Sequence, residues 1–117
     1  MFVERKGGSI ATFHIIVLMT VPTKEEADKI VHQLLNQRLI ACANTLGPVK
    51  SQYWWKNKIE ETNEFLVIMK TQEKLFDKLA ETIRKLHGYE VPEILALPIK
   101  RGWAPYLEWL DSVLTTR

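Results

Sequence analysis

The stretch from Ile40 to Thr71 constrains the fold of this chain more than any other, because it predicts one long β-hairpin. Lys56-Asn57-Lys58 separates two strand-like arms, and Asn is one of the few residues other than Gly that tolerates a positive φ in a tight turn. An arm of about 15 residues at ~3.3 Å per residue spans roughly 50 Å, whereas a domain of this length has a radius of gyration of about 13–14 Å. The hairpin must therefore bend, protrude, or do both.

Two features of this hairpin predict how it is used. Gly47-Pro48 is the expected position of a bend or bulge, because Pro cannot donate to a ladder and Gly kinks easily. The far end carries Tyr53-Trp54-Trp55, and three aromatic side chains on a projecting tip are unfavourable in water. We therefore expect Tyr53, Trp54 and Trp55 to be buried by a partner, most simply another copy of this chain.

The composition is that of an ordinary globular chain. It has 117 residues, of which 46% are apolar and 26% are charged, and this length predicts one domain. We assign that domain to residues 13–117 and a flexible leader to residues 1–12. The net charge of +2 gives no support to nucleic-acid binding, and no apolar run approaches the ~20 residues of a membrane span. One cysteine, Cys42, cannot form an internal disulfide and favours a reducing compartment, so we predict a cytoplasmic location.

Hydrophobic periodicity predicts the element order β-α-β-β-α-β followed by a C-terminal helix. Thr23 and Glu26 form a capping box at the start of the first helix, whereas Thr71 or Gln72 is expected to cap the second. Right-handed crossovers turn this order into an antiparallel four-stranded sheet with two helices on one face, a ferredoxin-like α+β fold. The second face is also apolar, so we expect self-association to complete the cover that the C-terminal helix begins. Further predicted elements are a first strand at His14–Val21, a second helix ending at His87-Gly88, a last strand at Glu93–Ile99 and a third helix from about Ala104.

Several short segments carry a resemblance to a known family. They are Leu39-Ile40-Ala41-Cys42-Ala43-Asn44, Tyr53-Trp54-Trp55-Lys56 with Lys58-Ile59-Glu60-Glu61, Lys70-Thr71, His87-Gly88-Tyr89-Glu90-Val91-Pro92-Glu93-Ile94, and Tyr106-Leu107 with Trp109. In this order and spacing they resemble the CutA family of divalent-cation tolerance proteins, from about Phe13 to Leu114.

That resemblance implies a compact homotrimer of ferredoxin-like subunits whose hairpins extend the sheets of their neighbours, an architecture similar to that of PII-type signalling trimers. It also implies tolerance of divalent metals, especially copper, in bacteria, and an indirect link to acetylcholinesterase anchoring in animals. No enzymatic activity is established for the family. The expected partners are therefore further copies of this chain, with no nucleic acid and no membrane span, and an additional protein partner is left open.

The best candidate site lies around His87, Tyr89 and Glu93. Imidazole and carboxylate groups suit Cu(II) or Zn(II), and the thioether of Met19 could ligate Cu(I). Two ligands do not close a tetrahedral site, so the alternative is that His87 ends the second helix and Glu93 pairs with a basic residue across a subunit contact. The resemblance favours metal binding at this site. However, Met19 stands where some bacterial members have Cys, and Leu86 stands where they have a second His. No cofactor is required, and Cu(II) or another divalent cation is the expected ligand.

Other polar residues of the hairpin and its surroundings are less specific. Tyr89 and Lys70 are expected to line the cleft between subunits. Three acidic residues near the hairpin turn are expected to be solvated or interface charges rather than an acid–base pair: Glu60, Glu61 and Glu64.

Three functions remain open on the sequence alone. The first is a non-catalytic homotrimer implicated in divalent metal tolerance, copper above all, that binds a metal ion or small ligand in clefts between subunits. The second is an enzyme that uses the same cleft, although no nucleophile–base motif is evident. The third is a ferredoxin-like RNA-binding module that stacks bases on Tyr53-Trp54-Trp55. The near-neutral net charge and the acidic Glu60-Glu61 argue against it, because they do not attract a phosphate backbone.

Overall fold

The computed structural model describes residues 14–114, so the leader predicted for residues 1–12 lies outside the described residues. This range forms four strands and three α-helices. The strands are β1 (His14–Val21), β2 (Cys42–Trp55), β3 (Lys58–Gln72) and β4 (Ile94–Pro98), and the helices are α1 (Lys24–Asn36), α2 (Phe76–Leu86) and α3 (Ala104–Leu114). No helix in this part of the chain is long and apolar enough to cross a membrane.

The four strands form one antiparallel sheet in the order β2-β3-β1-β4. Together with the element order, this arrangement confirms the predicted ferredoxin-like α+β fold. Every second residue of β1 is buried, so one face of the sheet builds the main core with α1 and α2. The fully buried residues of that core include Val17, Met19 and Val21 of β1, Val67 and Met69 of β3, Ala27, Ile30 and Leu34 of α1, and Leu79 and Ile83 of α2.

The two helix starts differ from each other in how they are capped. Thr23 caps α1 as predicted, because its Oγ1 accepts the backbone N–H of Glu26 at 3.1 Å. The prediction that Thr71 or Gln72 caps α2 is wrong, since β3 continues through Gln72 and a 3₁₀ turn at Glu73–Leu75 precedes the helix. Thr71 is instead buried in the sheet, where its hydroxyl donates to the Leu39 carbonyl oxygen at 2.7 Å.

The hairpin protrudes and is bulged. Lys56 and Asn57 form its turn with φ values of +52° and +65°, so the left-handed backbone expected of Asn57 extends to Lys56. Three residue steps from Leu46 to Val49 in β2 oppose only two in β3, which places a bulge at the predicted Gly47-Pro48. The molecule measures 49 × 29 × 25 Å. This elongated shape reflects a hairpin that reaches beyond the core.

Helix α3 lies on the sheet face opposite α1 and α2. Asp111 accepts a hydrogen bond from Gln72 Nε2 at 2.7 Å and lies 2.9 Å from Nε2 of His14, which pairs with Gln72 across the sheet. Leu110 is buried by this contact. The cover is incomplete, because three leucines on this side of the sheet remain between 46% and 55% exposed in a single chain: Leu46, Leu95 and Leu97. These side chains are available for contact with another molecule.

Replacing Gly47 by Ala tests the bulge. Gly47 has a φ of +154°, which L side chains disfavour, and an added Cβ would lie 2.7 Å from Cδ2 of Phe65. We expect the free energy of unfolding to fall by about 1–3 kcal/mol. Gly88→Ala is the matched control, since its nearest neighbour is the flexible carboxylate of Glu26 at 3.3 Å. Chemical denaturation followed by circular dichroism measures both variants, and equal losses would contradict the structural role of Gly47.

Candidate functional site

A cleft of about 660 Å³ opens beside the hairpin and forms the candidate site. This volume lies within the range of about 300–1,000 Å³ that small-molecule sites occupy. We call it the acidic cleft, because among residues 14–114 three of its lining residues are Glu and none is Lys, Arg or His. Its lining comes from the hairpin (Ser51, Gln52, Tyr53, Trp55 and Glu64), from the loop after α2 (Gly88, Tyr89, Glu90, Val91 and Glu93) and from Thr20 at the end of β1.

A partly buried hydrogen bond between Glu64 and Tyr89 joins the two sides of the acidic cleft. Glu64 is only 6% exposed, and its Oε2 accepts the hydroxyl proton of Tyr89 at 2.6 Å. Burial, and next the Glu64 carboxylate, raise the pKa of Tyr89 well above its usual value. The phenol therefore keeps its proton at neutral pH, and the bond ties the loop after α2 to β3.

His87 ends α2 and organises the loop that follows it. Its ring is fully buried, with Nε2–H donating to the Thr20 carbonyl oxygen at 2.7 Å and Nδ1 accepting the backbone N–H of Tyr89 at 3.0 Å. These two bonds define a neutral ring with its proton on Nε2. Glu26 accepts the Gly88 N–H at 2.8 Å and lies 3.7 Å from Nδ1 of His87. This His87 junction fixes the loop to both β1 and α1.

The structure places the predicted metal ligands in different environments. Met19 is fully buried in the core, whereas Glu93 is exposed on the wall of the acidic cleft. His87 would have to give up one of its protein hydrogen bonds to bind an ion. Within residues 14–114, no three His, Cys, Asp or Glu side chains lie close enough together to hold a metal ion. Metal binding by His87, Glu93 and Met19 therefore stays a prediction.

The other predicted site residues are only partly brought together. Tyr89 lines the acidic cleft, but Lys70 lies six residues beyond Glu64 on β3, roughly 20 Å away at ~3.3 Å per residue, and its ammonium bonds the Asn44 side chain. A cleft between subunits lined by both residues stays a prediction.

The aromatic tip divides between the two sides of the hairpin. Tyr53 and Trp55 line the acidic cleft, whereas Trp54 lies between them in sequence and is 71% exposed. Trp55 is itself 51% exposed in a single chain. Burial of this tip in a trimer interface stays a prediction.

Glu64 and Glu26 are site residues that the sequence interpretation missed. Glu64 was expected to be a solvated or interface charge, and its burial within a single chain follows from its place next to the apolar run Phe65–Met69, where β3 enters the core. That position is a weak signal, because a carboxylate at the start of a buried strand is more often at the surface. Glu26 gave no signal beyond the helix cap, since its bond to Gly88 joins segments 62 residues apart.

Comparison with known proteins agrees with the fold and decides the family. Residues 15–113 match the family described as CutA1 divalent ion tolerance protein. This chain belongs to the CutA1 family. The predicted resemblance is thereby confirmed. A divalent-cation tolerance protein CutA from Pyrococcus horikoshii is 47% identical over 96 residues, which cover 82% of this chain and 93% of that protein.

Other CutA proteins extend the comparison. Protein CutA 1, chloroplastic, from Oryza sativa subsp. japonica is 44% identical over 98 residues, which cover 84% of this chain and 55% of that protein. The match thus spans about half the length of the rice relative, and also of the mouse and human CutA proteins. The structure of the periplasmic divalent cation tolerance protein CutA from Archaeoglobus fulgidus has a TM-score of 0.85 at 38% identity, covering 87% of this chain and 99% of that one.

The names of these relatives correct the predicted location. The rice protein is described as chloroplastic and the Archaeoglobus fulgidus protein as periplasmic, so the prediction of a cytoplasmic location is wrong. The physical reason is that Cys42 is a free thiol, and a chain that forms no disulfide does not depend on the redox state of its compartment.

His87→Ala tests whether the His87 junction holds the loop. The substitution leaves the Thr20 carbonyl and the Tyr89 N–H without their ring partners, so we expect the free energy of unfolding to fall by about 2–4 kcal/mol. His32→Ala, at an exposed position of α1, is the matched control and should change it by less than about 0.5 kcal/mol. Urea denaturation measures both. A loss for His87→Ala no larger than that for His32→Ala would contradict the role of the junction.

Copper titration of the same variants examines the metal role of His87 separately. We expect weak copper binding by the wild type and weaker binding by His87→Ala, at a temperature where both are folded, because imidazole is a good ligand for Cu(II). Equal titration curves would remove His87 from metal binding.

Proposed function

We propose that this protein acts in divalent-cation tolerance as a non-catalytic homotrimer that binds a cation in the acidic cleft. The observation that carries the proposal is the negative charge of the cleft. It occurs in a chain whose family is described as divalent ion tolerance proteins. In the described part of the chain the lining of the cleft includes Glu64, Glu90 and Glu93 but no basic residue, although the whole chain carries a formal net charge of +2. Carboxylates on the wall of a concave site attract cations and repel anions.

Exposed apolar side chains support self-association. Trp54 at the hairpin tip and the leucines on the outer sheet face are exposed in a single chain. Apolar surface at two separate places on a small domain favours burial against further copies. The number of three copies comes from the family resemblance.

The same charge distribution argues against RNA. Tyr53, Trp55 and Tyr89 could offer rings for base stacking, but they line the same cleft as the three carboxylates. Phosphates would be repelled there.

A non-catalytic role is supported by the Glu64–Tyr89 pair, because both groups are used in holding the loop and the phenol keeps its proton at neutral pH.

Growth under copper tests the proposed function. A bacterial strain that lacks its own CutA1 protein is supplied with this chain, and we expect the copper concentration that halves its growth rate to rise. Glu90→Gln with Glu93→Gln should remove most of that gain, because both carboxylates line the acidic cleft. Glu61→Gln, an exposed hairpin residue outside the lining, should keep it. Growth no better than with an empty vector, at matched protein levels, would contradict the proposal.

Light scattering coupled to size exclusion tests the assembly. We expect the mass of a trimer for the wild type at micromolar concentration. Trp54→Ala with Trp55→Ala should shift the mass towards the monomer or lower the thermal stability, because each buried aromatic ring removes about 150–250 Å² from water. A monomer mass for the wild type would contradict the trimer. An unchanged trimer of unchanged stability in the double variant would show that the aromatic tip is not the contact.

A further inference from the structure

The acidic cleft is elongated along the hairpin. Glu64 pairs with Val49, and Trp55 is the last residue of β2, six residues further on. Those six steps correspond to roughly 20 Å at ~3.3 Å per residue. Ser51, Tyr53 and Trp55 alternate along β2 and therefore face the same side of the hairpin. A ligand that follows this side has an extended shape.

The carboxylates of the cleft differ in their position. Glu64 is buried on strand β3, whereas Glu90 and Glu93 are exposed on the loop after α2. A small hard cation needs several oxygen ligands at roughly 2.0–2.6 Å from one point. In the described part of the chain no three acidic or other metal-binding side chains converge in this way. Separated carboxylates suit a ligand with more than one positive charge along its length.

Aromatic rings supply the second kind of contact. Tyr53, Trp55 and Tyr89 line the cleft together with the carboxylates. The faces of such rings attract ammonium groups, and their edges and faces pack against methylene chains. The Lys56 ammonium lies 5.9 Å from the centroid of the Trp55 ring, so one of these rings already attracts a cation of this chain.

From these features we propose that the acidic cleft binds a linear aliphatic polyamine, of the class of spermidine and 1,4-diaminobutane. The inference rests on the proposed function, because it names the chemical class of the cation that this cleft takes. Ammonium groups pair with Glu90 and Glu93 at the rim and with Glu64 at the floor, and the methylene segments lie against the aromatic rings. Among the described residues, no Lys, Arg or His lines the cleft, so no cationic side chain there competes for Glu90 and Glu93.

Isothermal titration of the full chain with spermidine tests this inference. We expect saturable binding, weaker binding of 1,4-diaminobutane because it carries fewer charges, and none of 1,4-butanediol, a neutral molecule with the same carbon chain. Added salt should weaken spermidine binding, since the exposed carboxylates are screened.

Three variants locate the binding site. Glu90→Gln with Glu93→Gln removes two exposed charges, and we expect the Kd for spermidine to rise by about tenfold or more. Trp55→Leu keeps an apolar side chain but loses the ring, so it should weaken binding severalfold in a sample whose mass by light scattering equals that of the wild type. Glu61→Gln is the matched control, because this glutamate accepts a hydrogen bond from Gln52 but does not line the cleft, and it should leave the Kd unchanged.

The possible failures are distinct. Lack of saturable binding of spermidine, equal binding of 1,4-butanediol, or equal weakening by Glu61→Gln overturns the polyamine inference. Parallel titrations with CuCl₂ and MgCl₂ separate it from the proposed function. Metal binding that depends on Glu90 and Glu93, without spermidine binding, refutes the polyamine inference and leaves the proposed function standing. Spermidine binding without protection of growth under copper refutes the proposed function alone.

Discussion

Strand β3 is hydrogen-bonded on both of its sides, and the rest of the structure depends on this double pairing. Its C-terminal half pairs with β1 in the middle of the sheet, while the stretch from Lys58 to Lys70 pairs with β2. The first pairing buries Val67 and Met69 in the core, which anchors the strand. The N-terminal half is then held out beyond the core as one arm of the hairpin. The buried half of β3 therefore holds the projecting hairpin in place, and the acidic cleft can form along the side of the hairpin.

The cleft joins parts of the chain that are distant in sequence through partly buried hydrogen bonds. Glu64 on β3 meets Tyr89, and His87 meets both Thr20 and the backbone of Tyr89. Such groups are costly to bury unless they are paired, so each bond restricts the others to one arrangement. The loop after α2, which has no regular secondary structure over most of its length, gains a defined position from these bonds. Its two exposed carboxylates are thereby held opposite the aromatic side of the hairpin.

The sequence was sufficient to predict the fold, because the fold follows from local patterns. The alternation in β1, the cap at Thr23 and the turn at Asn57 are each visible within a few residues. The site was less predictable, because its key bonds connect segments far apart. Thr71 was predicted to cap a helix, but in the sheet its hydroxyl donates a hydrogen bond to the Leu39 carbonyl oxygen. The hydrogen bond between Glu64 and Tyr89 likewise joins residues 25 positions apart, which no local pattern indicates.

The bulge at Gly47-Pro48 has a consequence for how length variation acts on this protein. Side chains alternate along a strand, and the extra residue at the bulge interrupts that alternation in β2. In a chain shorter by one residue at this point, Leu46 would still lie opposite Leu66 and Val49 opposite Glu64, so the two arms would pair without a bulge. Tyr53 and Trp55 would stay on the cleft side, because the turn at Lys56 and Asn57 sets their pairing with β3. The change would instead remove the bend that a bulge imposes on its strand. Relatives that lack the extra residue are therefore expected to carry the same aromatic lining on a straighter hairpin, which would project from the core in a different direction.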